Sequence, residues 1–445
     1  MTSIRRIVDE TLMDETIRKF SSRRWFFVRP EDIISAGMET SYPEEAEDGD
    51  PLIMLIYIET VDGTKYMNLA LTLHQDTRGK FHFTDSIEDG RFPNLLSRML
   101  HDSGKFEIQN PVSRLREAIE RKEEFRSLKL EQSNSSFRIG EEIIGKFFRT
   151  PSGTDNPDYK LPVLIRKYSD FRGVPENLGT IIYHGSMDLC ICVFSSYVKN
   201  YGDYWKYLFE TSRVRENGEF LIEARSEAER IGVAVADLHL AMSDINENNY
   251  RSEPFNDSDY ERMKRQDRNL ITEFRRLLSS PYGVVYRDVA TIIDTFSTLN
   301  LSQIGEMKQP IHGDLHLGQI LKTDGGPVII DFEGEPMASM EDRISKGSPM
   351  KDLAGMTRSW NYIWHFILGQ GELPDRISEE FRNITLTSYT DEIKRSGHRM
   401  NDLWKKTLSF FETEKAIYEA VYEWNNRPEM LWIPMQFLRN SLKIH

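Results

Sequence analysis

The sequence predicts an α+β protein built from a small α/β part, a small β-rich part and a large helical part. Apolar runs flank Asp62-Gly63, a dipeptide typical of a tight β-hairpin. Short apolar runs return before Ser195, and helical spacing of apolar residues dominates from Tyr204 onward. These three predicted parts cover residues 1–105, 106–198 and 199–445.

Composition limits the class of protein. With 445 residues, 39% of them hydrophobic, the chain can bury several cores and is not a disordered polymer. A formal net charge of -14 argues against a surface made for nucleic acid or for anionic lipid. The two cysteines, Cys190 and Cys192, are too close together to staple a fold, which indicates a reducing compartment.

The chain also shows no targeting or membrane signal. Its first residues contain no apolar segment of the secretory type, and the longest apolar run, Leu52–Ile58, is far shorter than the ~18 residues of a membrane span. We therefore expect a cytoplasmic protein that binds neither a membrane nor a nucleic acid.

The predicted elements follow in order along the chain. The apolar runs around Asp62-Gly63 predict two paired strands, and the stretches 179–184 and 188–195 predict two more. Within Ser226–Ser243 the apolar residues recur at helical spacing, which predicts an amphipathic helix. Helices resume from Lys351 to the end.

The segment IHGDLHLGQILKTDGGPVIIDFEGEP, residues 311–336, carries the chemistry. Two short apolar strands with a Gly-rich turn between them should form a hairpin that ends on Asp331. This layout brings Asp331 close to Asp314 and Gln319. Protein kinases use H-R-D-x-x-x-x-N followed by D-F-G to orient the acceptor hydroxyl and to hold Mg²⁺. Here H-G-D-x-x-x-x-Q is followed by D-F-E, which predicts that Asp314 orients the acceptor while Gln319 and Asp331 bind the metal.

Each of four neighbouring residues has either a role in the site or a structural role. Glu333 and Glu335 add carboxylates close to Asp331, which supports a metal site. For Glu335, a solvated acidic turn is a plausible alternative. His312 is interpreted as hydrogen-bonded scaffold. His316, in the loop that holds Asp314, is a candidate for contact with the substrate.

Motifs across most of the chain resemble the maltokinase family, within the aminoglycoside-phosphotransferase-like kinases. HGDLHLGQ and IDFEGEP resemble its catalytic segment, and KAIYEAVYEWNNRP, residues 415–428, resembles its K-A-x-Y-E-x-x-Y-E-x-x-N-R-P element. Further similar elements are EQSNSS, KFFR, NYGDYW and KDLAGMTRSW. The resemblance implies a bilobal, protein-kinase-like α+β fold that carries an N-terminal cap subdomain.

The implied activity is transfer of phosphate from ATP, with Mg²⁺, to the anomeric hydroxyl of maltose, giving maltose 1-phosphate and ADP. The family feeds α-glucan and glycogen synthesis, so the resemblance also implies a functional link to a trehalose synthase.

The resemblance assigns nucleotide-binding residues in the β-rich lobe. Lys146, on a strand, would pair with the ATP phosphates. The loop over the phosphates would be formed by Ser133, Asn134, Ser135 and Ser136. The segment Val193–Tyr197, with Phe194 and Tyr197, would connect the lobes and contact the adenine through backbone groups.

The resemblance also assigns acceptor residues in the helical lobe. Sugar contacts are implied for one face of the C-terminal helix and the turn after it, namely Lys415, Glu419, Tyr422 and Arg427. Asp352 is implied to brace the catalytic loop, and an N-cap role would explain it equally well.

One position departs from the family pattern. Lys160 stands where a glutamate would pair with Lys146, so either Asp158, Glu141 or Glu142 replaces it, or the pairing is not needed. The alternatives to a maltokinase are a related kinase acting on glucosamine or glucose, a nucleotide-binding pseudokinase, and an antibiotic phosphotransferase with an acidic acceptor pocket.

Overall fold

The computed structural model describes residues 2–102, 104–128, 134–185, 187–214, 217–298, 307–335 and 340–442. The chain divides into two compact units. The first comprises Met1–Val163 and Pro175–Val198, and the second comprises Leu164–Val174 and Lys199–His445. Within the described ranges, no helix combines the length and the hydropathy that a membrane crossing requires.

The first unit contains twelve described strands and five described helices. The strands are β1 Thr2–Ser3, β2 Ile33–Tyr42, β3 Glu45–Ala46, β4 Pro51–Thr60, β5 Gly63–Gln75, β6 Phe81–Asp85, β7 Phe106–Gln109, β8 Phe125–Ser127, β9 Ser135–Ile139, β10 Ile143–Gly153, β11 Asn177–Tyr183 and β12 Leu189–Ser196. The helices are α1 Ile4–Ile7, α2 Glu10–Phe20, α3 Phe92–Met99, α4 Ser113–Glu120 and α5 Pro157–Tyr168, whose last residues already belong to the second unit.

A four-stranded antiparallel sheet, in the order β2-β4-β5-β6, is buried on both faces. Along β4, Ile53 and Leu55 point into one hydrophobic core, while Met54 and Ile56 point into another, formed with α1 and α2. Burial on both faces explains why this strand is apolar without alternation. The register pairs Thr60 with Gly63, so the hairpin predicted at Asp62-Gly63 is confirmed.

A six-stranded antiparallel sheet, in the order β7-β11-β12-β10-β9-β8, forms the rest of the first unit. Its inner face, with Phe137 and Phe147, shares a core with Ile53 and Leu55 of the four-stranded sheet. The two sheets are therefore packed into one body. The division of residues 1–198 into a cap and a lobe at residue 105 stays a prediction.

The second unit is mostly helical. Its described helices are α6 Tyr204–Val214, α7 Asn217–Ser243, α8 Asp257–Ser279, α9 Thr291–Thr298, α10 Met340–Arg343, α11 Pro349–Leu368, α12 Glu372–Arg395, α13 Trp404–Asn426 and α14 Trp432–Ser441. Its described strands are β13 Glu253–Pro254, β14 Met307–Lys308, β15 Ile320–Thr323 and β16 Gly326–Ile329.

Helix α11 forms the centre of this unit. It begins with Ser348 as N-cap, whose side chain accepts a hydrogen bond from the Met350 amide, and with Pro349 in the first turn. Nearly every side chain from Met350 to His365 is buried, because α12 and α13 both pack against it. A helix enclosed in this way can hold a polar side chain in a fixed position.

The predicted hairpin after the candidate catalytic loop is confirmed. Strands β15 and β16 pair in antiparallel register from Ile320 with Ile329 to Thr323 with Gly326. The hairpin returns the chain so that the Ile330 amide donates a hydrogen bond to the Gln319 carbonyl. It therefore places Asp331 next to Gln319.

Candidate active site

Asp352 holds the candidate catalytic loop in position. Its buried carboxylate accepts hydrogen bonds from the backbone amides of His312, at 2.7 Å, and Gly313, at 2.8 Å. It also lies 3.3 Å from Nε2 of the buried His239. Burial alone raises the pKa of Asp352, but the His239 hydrogen bond and the nearby imidazoles bring it below its ordinary value. Ser348 caps the helix, so Asp352 contacts the loop and is not the N-cap.

The two histidines of the loop occupy different positions. His312 is buried; its Nε2 lies 2.9 Å from the Ile330 carbonyl, and its Nδ1 accepts from the Asp314 amide. It therefore links the loop to the hairpin as scaffold. His316 caps the following short turn, where its Nδ1 accepts from the Gly318 amide, and its Nε2 lies 3.9 Å from Asp314 Oδ2. With its side chain 39% exposed, His316 keeps a surface for a substrate.

Asp314 forms an ion pair in a nearly buried position. The Lys415 ammonium donates hydrogen bonds to Asp314 Oδ1 at 2.9 Å and to Glu335 Oε1 at 2.8 Å. All three side chains are at most 15% exposed. Burial alone raises the pKa of Asp314, but the Lys415 charge lowers it to about 2. The solvated-turn interpretation of Glu335 is wrong, because this carboxylate is buried against a cation.

The charged cluster extends away from Asp314 through residues that the sequence analysis missed. Lys351 Nζ lies 3.7 Å from Glu335 Oε2 and 3.8 Å from Glu414 Oε1. Burial, and then the charge of Glu414, raise the pKa of Asp267 to about 8. Lys351 and Glu414 precede Asp352 and Lys415 directly in the sequence, and this adjacency to assigned residues was the available signal.

The predicted metal ligands lie close together. The Gln319 side-chain amide donates to Asp331 Oδ2 at 3.2 Å, and the carboxylate oxygens of Asp331 and Glu333 lie within 4.8 Å of each other. Asp331 has a φ of 66°, a left-handed conformation that costs a non-glycine residue about 1–3 kcal/mol and recurs at functional sites. Two carboxylates and one amide oxygen are the hard oxygen donors that suit Mg²⁺, so these residues fit that ion.

A cavity of about 400 Å³ adjoins Asp314. Asp314 and Lys415 lie in a small crevice whose lining shares Gly313, Glu335 and Tyr418 with this larger cavity. Gly313 has a φ of 85°, and a Cβ there would lie 3.2 Å from Gly334 Cα, so only glycine permits this close approach. The volume is in the range of small-molecule sites.

Part of the implied sugar-binding face is already engaged. Arg358, which is buried, donates to Glu419 Oε2 at 2.5 Å, and Arg427 donates to Glu423 at 2.6 Å. Glu419 lies with Arg358 of α11 and is absent from the lining of the 400 Å³ cavity, as are Tyr422 and Arg427. Of the four implied sugar residues, only Lys415 lies beside Asp314.

In the first unit, Lys146 of β10 pairs with Asp158 of α5. The Lys146 ammonium donates to Asp158 Oδ2 at 2.8 Å, and both side chains are mostly buried. Of the alternatives that the sequence left open, the carboxylate next to Lys146 is therefore Asp158. Lys160 lies one half-turn further along α5.

The implied phosphate loop is described only in part. Ser133 lies outside the described residues. The Asn134 side chain accepts from the Arg149 amide at 3.3 Å, and Ser135 Oγ accepts from Arg149 Nε at 2.9 Å. Ser136 pairs with Lys146 across β9 and β10. Arg149, which the sequence analysis gave no role, is buried and also donates to Asp85 Oδ2 at 2.5 Å, so it anchors this segment.

The adenine contact implied for Phe194 and Tyr197 stays a prediction. Phe194 is fully buried in the core, and β12 is a central strand in which Phe194 faces Gly145 on one side and Gly179 on the other. Its backbone groups therefore belong to the sheet. The Tyr197 amide donates to the Glu142 carbonyl at 2.7 Å, and its ring lies under the Arg138 guanidinium, so that amide is occupied as well.

Comparisons with known proteins show which proteins this chain is similar to. A model of the Phosphotransferase enzyme family (APH) matches residues 210–379. Glucosamine kinase from Mycolicibacterium smegmatis is 22% identical over 325 residues, which are 69% of this chain and 77% of that protein. Glucosamine kinase from Streptacidiphilus jiangxiensis is 23% identical over 248 residues, 55% of either chain, so this match spans about half of that relative.

Solved structures show the same fold. A glucosamine kinase in complex with glucosamine, ADP and inorganic phosphate superposes with a TM-score of 0.66 at 17% identity, covering 93% of this chain and 96% of the other. A second crystal form of glucosamine kinase gives 0.68 at 16% identity and covers 98% of both chains. The fold is therefore aminoglycoside-phosphotransferase-like and protein-kinase-like, as predicted.

Proposed function

We propose that this chain is an ATP-dependent kinase that phosphorylates a hydroxyl group of a sugar. The observation that carries this proposal is the position of Asp314. Its carboxylate lies in a crevice that adjoins a 400 Å³ cavity, on a loop braced by Asp352 and followed by the oxygen cluster of Gln319, Asp331 and Glu333. The phosphotransferase family match and the glucosamine kinase relatives support the same activity.

The chemical step transfers the γ-phosphoryl group from ATP to the sugar oxygen. The acceptor oxygen bonds to the γ-phosphorus, the bond to the β–γ bridging oxygen breaks, ADP leaves, and the hydroxyl proton passes to Asp314. With a pKa of about 2, Asp314 is a weak base. Its main contribution is then to orient the hydroxyl, which suits a loose transition state in which that proton leaves late.

The same proposal assigns nucleotide-binding roles to residues within each of the two units. Gln319, Asp331 and Glu333 would hold Mg²⁺, which, when bound, neutralises charge on the phosphate oxygens. Lys146, positioned by Asp158, and the segment with Asn134 would bind the ATP phosphates.

Maltose, phosphorylated at its anomeric hydroxyl, is the acceptor that the motif resemblance supports. Glucosamine is a second candidate, favoured by the charge of the cavity. Its lining carries four carboxylates, from Glu273, Glu335, Asp342 and Glu414, against two cations, from Arg343 and Lys351. An acidic excess attracts an ammonium group. The link to a trehalose synthase belongs to the maltose alternative and stays a prediction.

A coupled ADP-release assay tests the proposal with Mg-ATP and maltose, glucosamine, glucose, trehalose or kanamycin. We expect release with one of the sugars and a loss of about a thousandfold or more in the Asp314→Asn protein, which keeps its ATP affinity. The sugar that gives release identifies the acceptor. Release with kanamycin alone would indicate an antibiotic phosphotransferase. Silence with every acceptor, with ATP still bound, would favour a pseudokinase.

A further inference from the structure

Helix α8 presents a polar edge to the cavity beside Asp314. Gln266, Asn269, Thr272 and Glu273, at spacings of three, three and one, all line the cavity. The other face of the helix is buried through Ile271, Phe274, Leu277 and Leu278. Packing of this apolar face fixes the position of α8, so its polar edge forms one rigid wall of the cavity.

This wall adjoins the place where the reaction would occur. Leu270 of α8 lines both the large cavity and the small crevice that holds Asp314 and Lys415. Asp267, one residue from Gln266, belongs to the charged cluster with Glu414. A sugar with one hydroxyl at Asp314 would extend along α8.

The side chains of the wall are suited to sugar hydroxyls. In the part of the chain that the structure describes, the side-chain amides of Gln266 and Asn269 make no hydrogen bond to another protein group, so both can donate and accept towards a ligand. Glu273 accepts from Arg276 at 2.7 Å, which holds its carboxylate at the rim. Because Arg276 already holds it, the Glu273 side chain loses little conformational freedom when a ligand binds.

Helix α13 contributes fewer side chains to the cavity lining than the sugar contacts implied by its sequence. Glu419 is paired with Arg358 and Arg427 with Glu423, so the polar side chains that α13 contributes to the two linings are Glu414, Lys415 and Tyr418. Of these, Lys415 is bound to Asp314 and Glu335, and Glu414 lies 3.8 Å from the Lys351 ammonium. We infer that the polar edge of α8, Gln266, Asn269 and Glu273, is the specificity-determining wall of the acceptor site and recognises sugar hydroxyls remote from the reacting one. This inference rests on the proposed sugar kinase activity and names the residues that choose the sugar.

The test compares Asn269→Ala, Gln266→Ala and Glu273→Gln with two controls on the same helix. Glu261→Gln is the matched control for Glu273→Gln, because Glu261 also accepts from a cation three residues later, Lys264, at 2.8 Å, but does not line the cavity. Arg268→Ala is the control for Asn269→Ala, since Arg268 is exposed and outside the lining. All variants are made in the full chain.

Steady-state kinetics are measured for the accepted sugar, the other sugars and ATP. We expect the sugar KM to rise about 3- to 10-fold for the amide variants and about 10-fold for Glu273→Gln, with a changed ranking of sugars. The kcat at saturating sugar and the KM for ATP should stay within about twofold. Both controls should match the wild type.

Three outcomes would overturn the inference. If the α8 variants kept the wild-type sugar KM and ranking, α8 would not be the specificity wall. An equal fall in kcat for variants and controls would indicate a structural effect. If the wild type phosphorylated no sugar, the proposed function would fail instead, and calorimetric titration of the same sugars would decide about α8: binding weakened only by the lining variants would support the wall, and unchanged or absent binding would contradict it.

Discussion

Lys415 donates a 2.9 Å hydrogen bond to Asp314, 101 residues earlier in the chain, so the carboxylate that we propose orients the acceptor is ion-paired before any substrate binds. The same ammonium contacts Glu335 and lies 4.7 Å from the centre of the Tyr418 ring. Asp314 thus remains ionised in a nearly dry crevice, where an unpaired carboxylate would tend to bind a proton.

Replacing Lys415 should make the activity sensitive to acid. In the wild type, the pKa of Asp314 is about 2, so its protonation does not reduce kcat/KM anywhere above pH 5. In Lys415→Met the cation is lost, burial then raises the pKa of Asp314, and an acid limb should enter the range between pH 5 and 7. A kcat/KM profile from pH 5 to 9 measures this shift.

Lys406→Met serves as the control, since Lys406 is exposed on the same helix. Its profile should overlay that of the wild type. An unchanged acid limb in Lys415→Met would show that Lys415 does not govern the ionisation of Asp314.

Asp352→Asn should reduce both stability and turnover. The substituted side chain would have one oxygen in place of two. It could accept from one of the two backbone N–H groups of the loop, while its own NH2 group would face the other donor in a buried site. We expect the free energy of unfolding to fall by about 2–4 kcal/mol and kcat to fall at least about tenfold. Urea unfolding measures the loss of stability. ADP release measures the loss of turnover, at a temperature about 20 °C lower than the melting midpoint of the variant.

Ser348→Ala separates bracing from helix stability, because Ser348 is the N-cap of the same helix. It should cost about 1 kcal/mol and leave kcat unchanged. Equal kcat losses in the two variants would mean that Asp352 acts through helix stability alone.

The Lys146–Asp158 pair should control ATP affinity. Lys146→Met removes the proposed phosphate contact, and Asp158→Asn releases the lysine from its position, so the KM for ATP should rise about tenfold in both. The KM for the sugar should change little. Lys160→Met, on the same helix, should leave both constants within about twofold; a rise in the KM for ATP as large as that of Asp158→Asn would contradict the assignment.

Asp267 should make the protein less stable as the pH rises. Burial and Glu414 raise its pKa from an ordinary value of 3.8 to about 8, so between these values the native state keeps a proton that the unfolded chain has released. The free energy of unfolding therefore falls as the pH rises from about 4 to 8. Asp267→Asn should flatten this decline in urea titrations at pH 5, 6.5 and 8.

Asp257→Asn is the control for this effect, since Asp257 is exposed at the start of the same helix. Its stability curve should run parallel to that of the wild type. A parallel curve for Asp267→Asn as well would show that Asp267 carries no extra proton in the native state.

Local patterns predicted much of the candidate site. The turn residues between two short apolar strands predicted the β15–β16 hairpin, and that hairpin alone brings Asp331 to Gln319. The helical spacing predicted α13. Both follow from hydrogen bonds and side-chain periodicities over a few residues, which a single sequence displays directly.

Long-range partners could not be predicted in the same way. The face of α13 that carries Glu419 contacts Arg358 because α11 packs beside it. Glu335 is buried beside Lys415 of α13 and Lys351 of α11, so its burial depends on the packing of two helices. The burial of Phe194 likewise depends on long-range pairing, since its strand is central in the sheet.

The local sequence was thus sufficient for the hairpin and for the loop that follows the kinase pattern, on which Asp314 is the proposed acceptor-orienting carboxylate. The packing of α8, α11 and α13 around that loop decided which charges lie beside Asp314 and which side chains line the cavity. Charge pairing and burial depend on distances between segments about a hundred residues apart, and those distances exist only after the helices have packed.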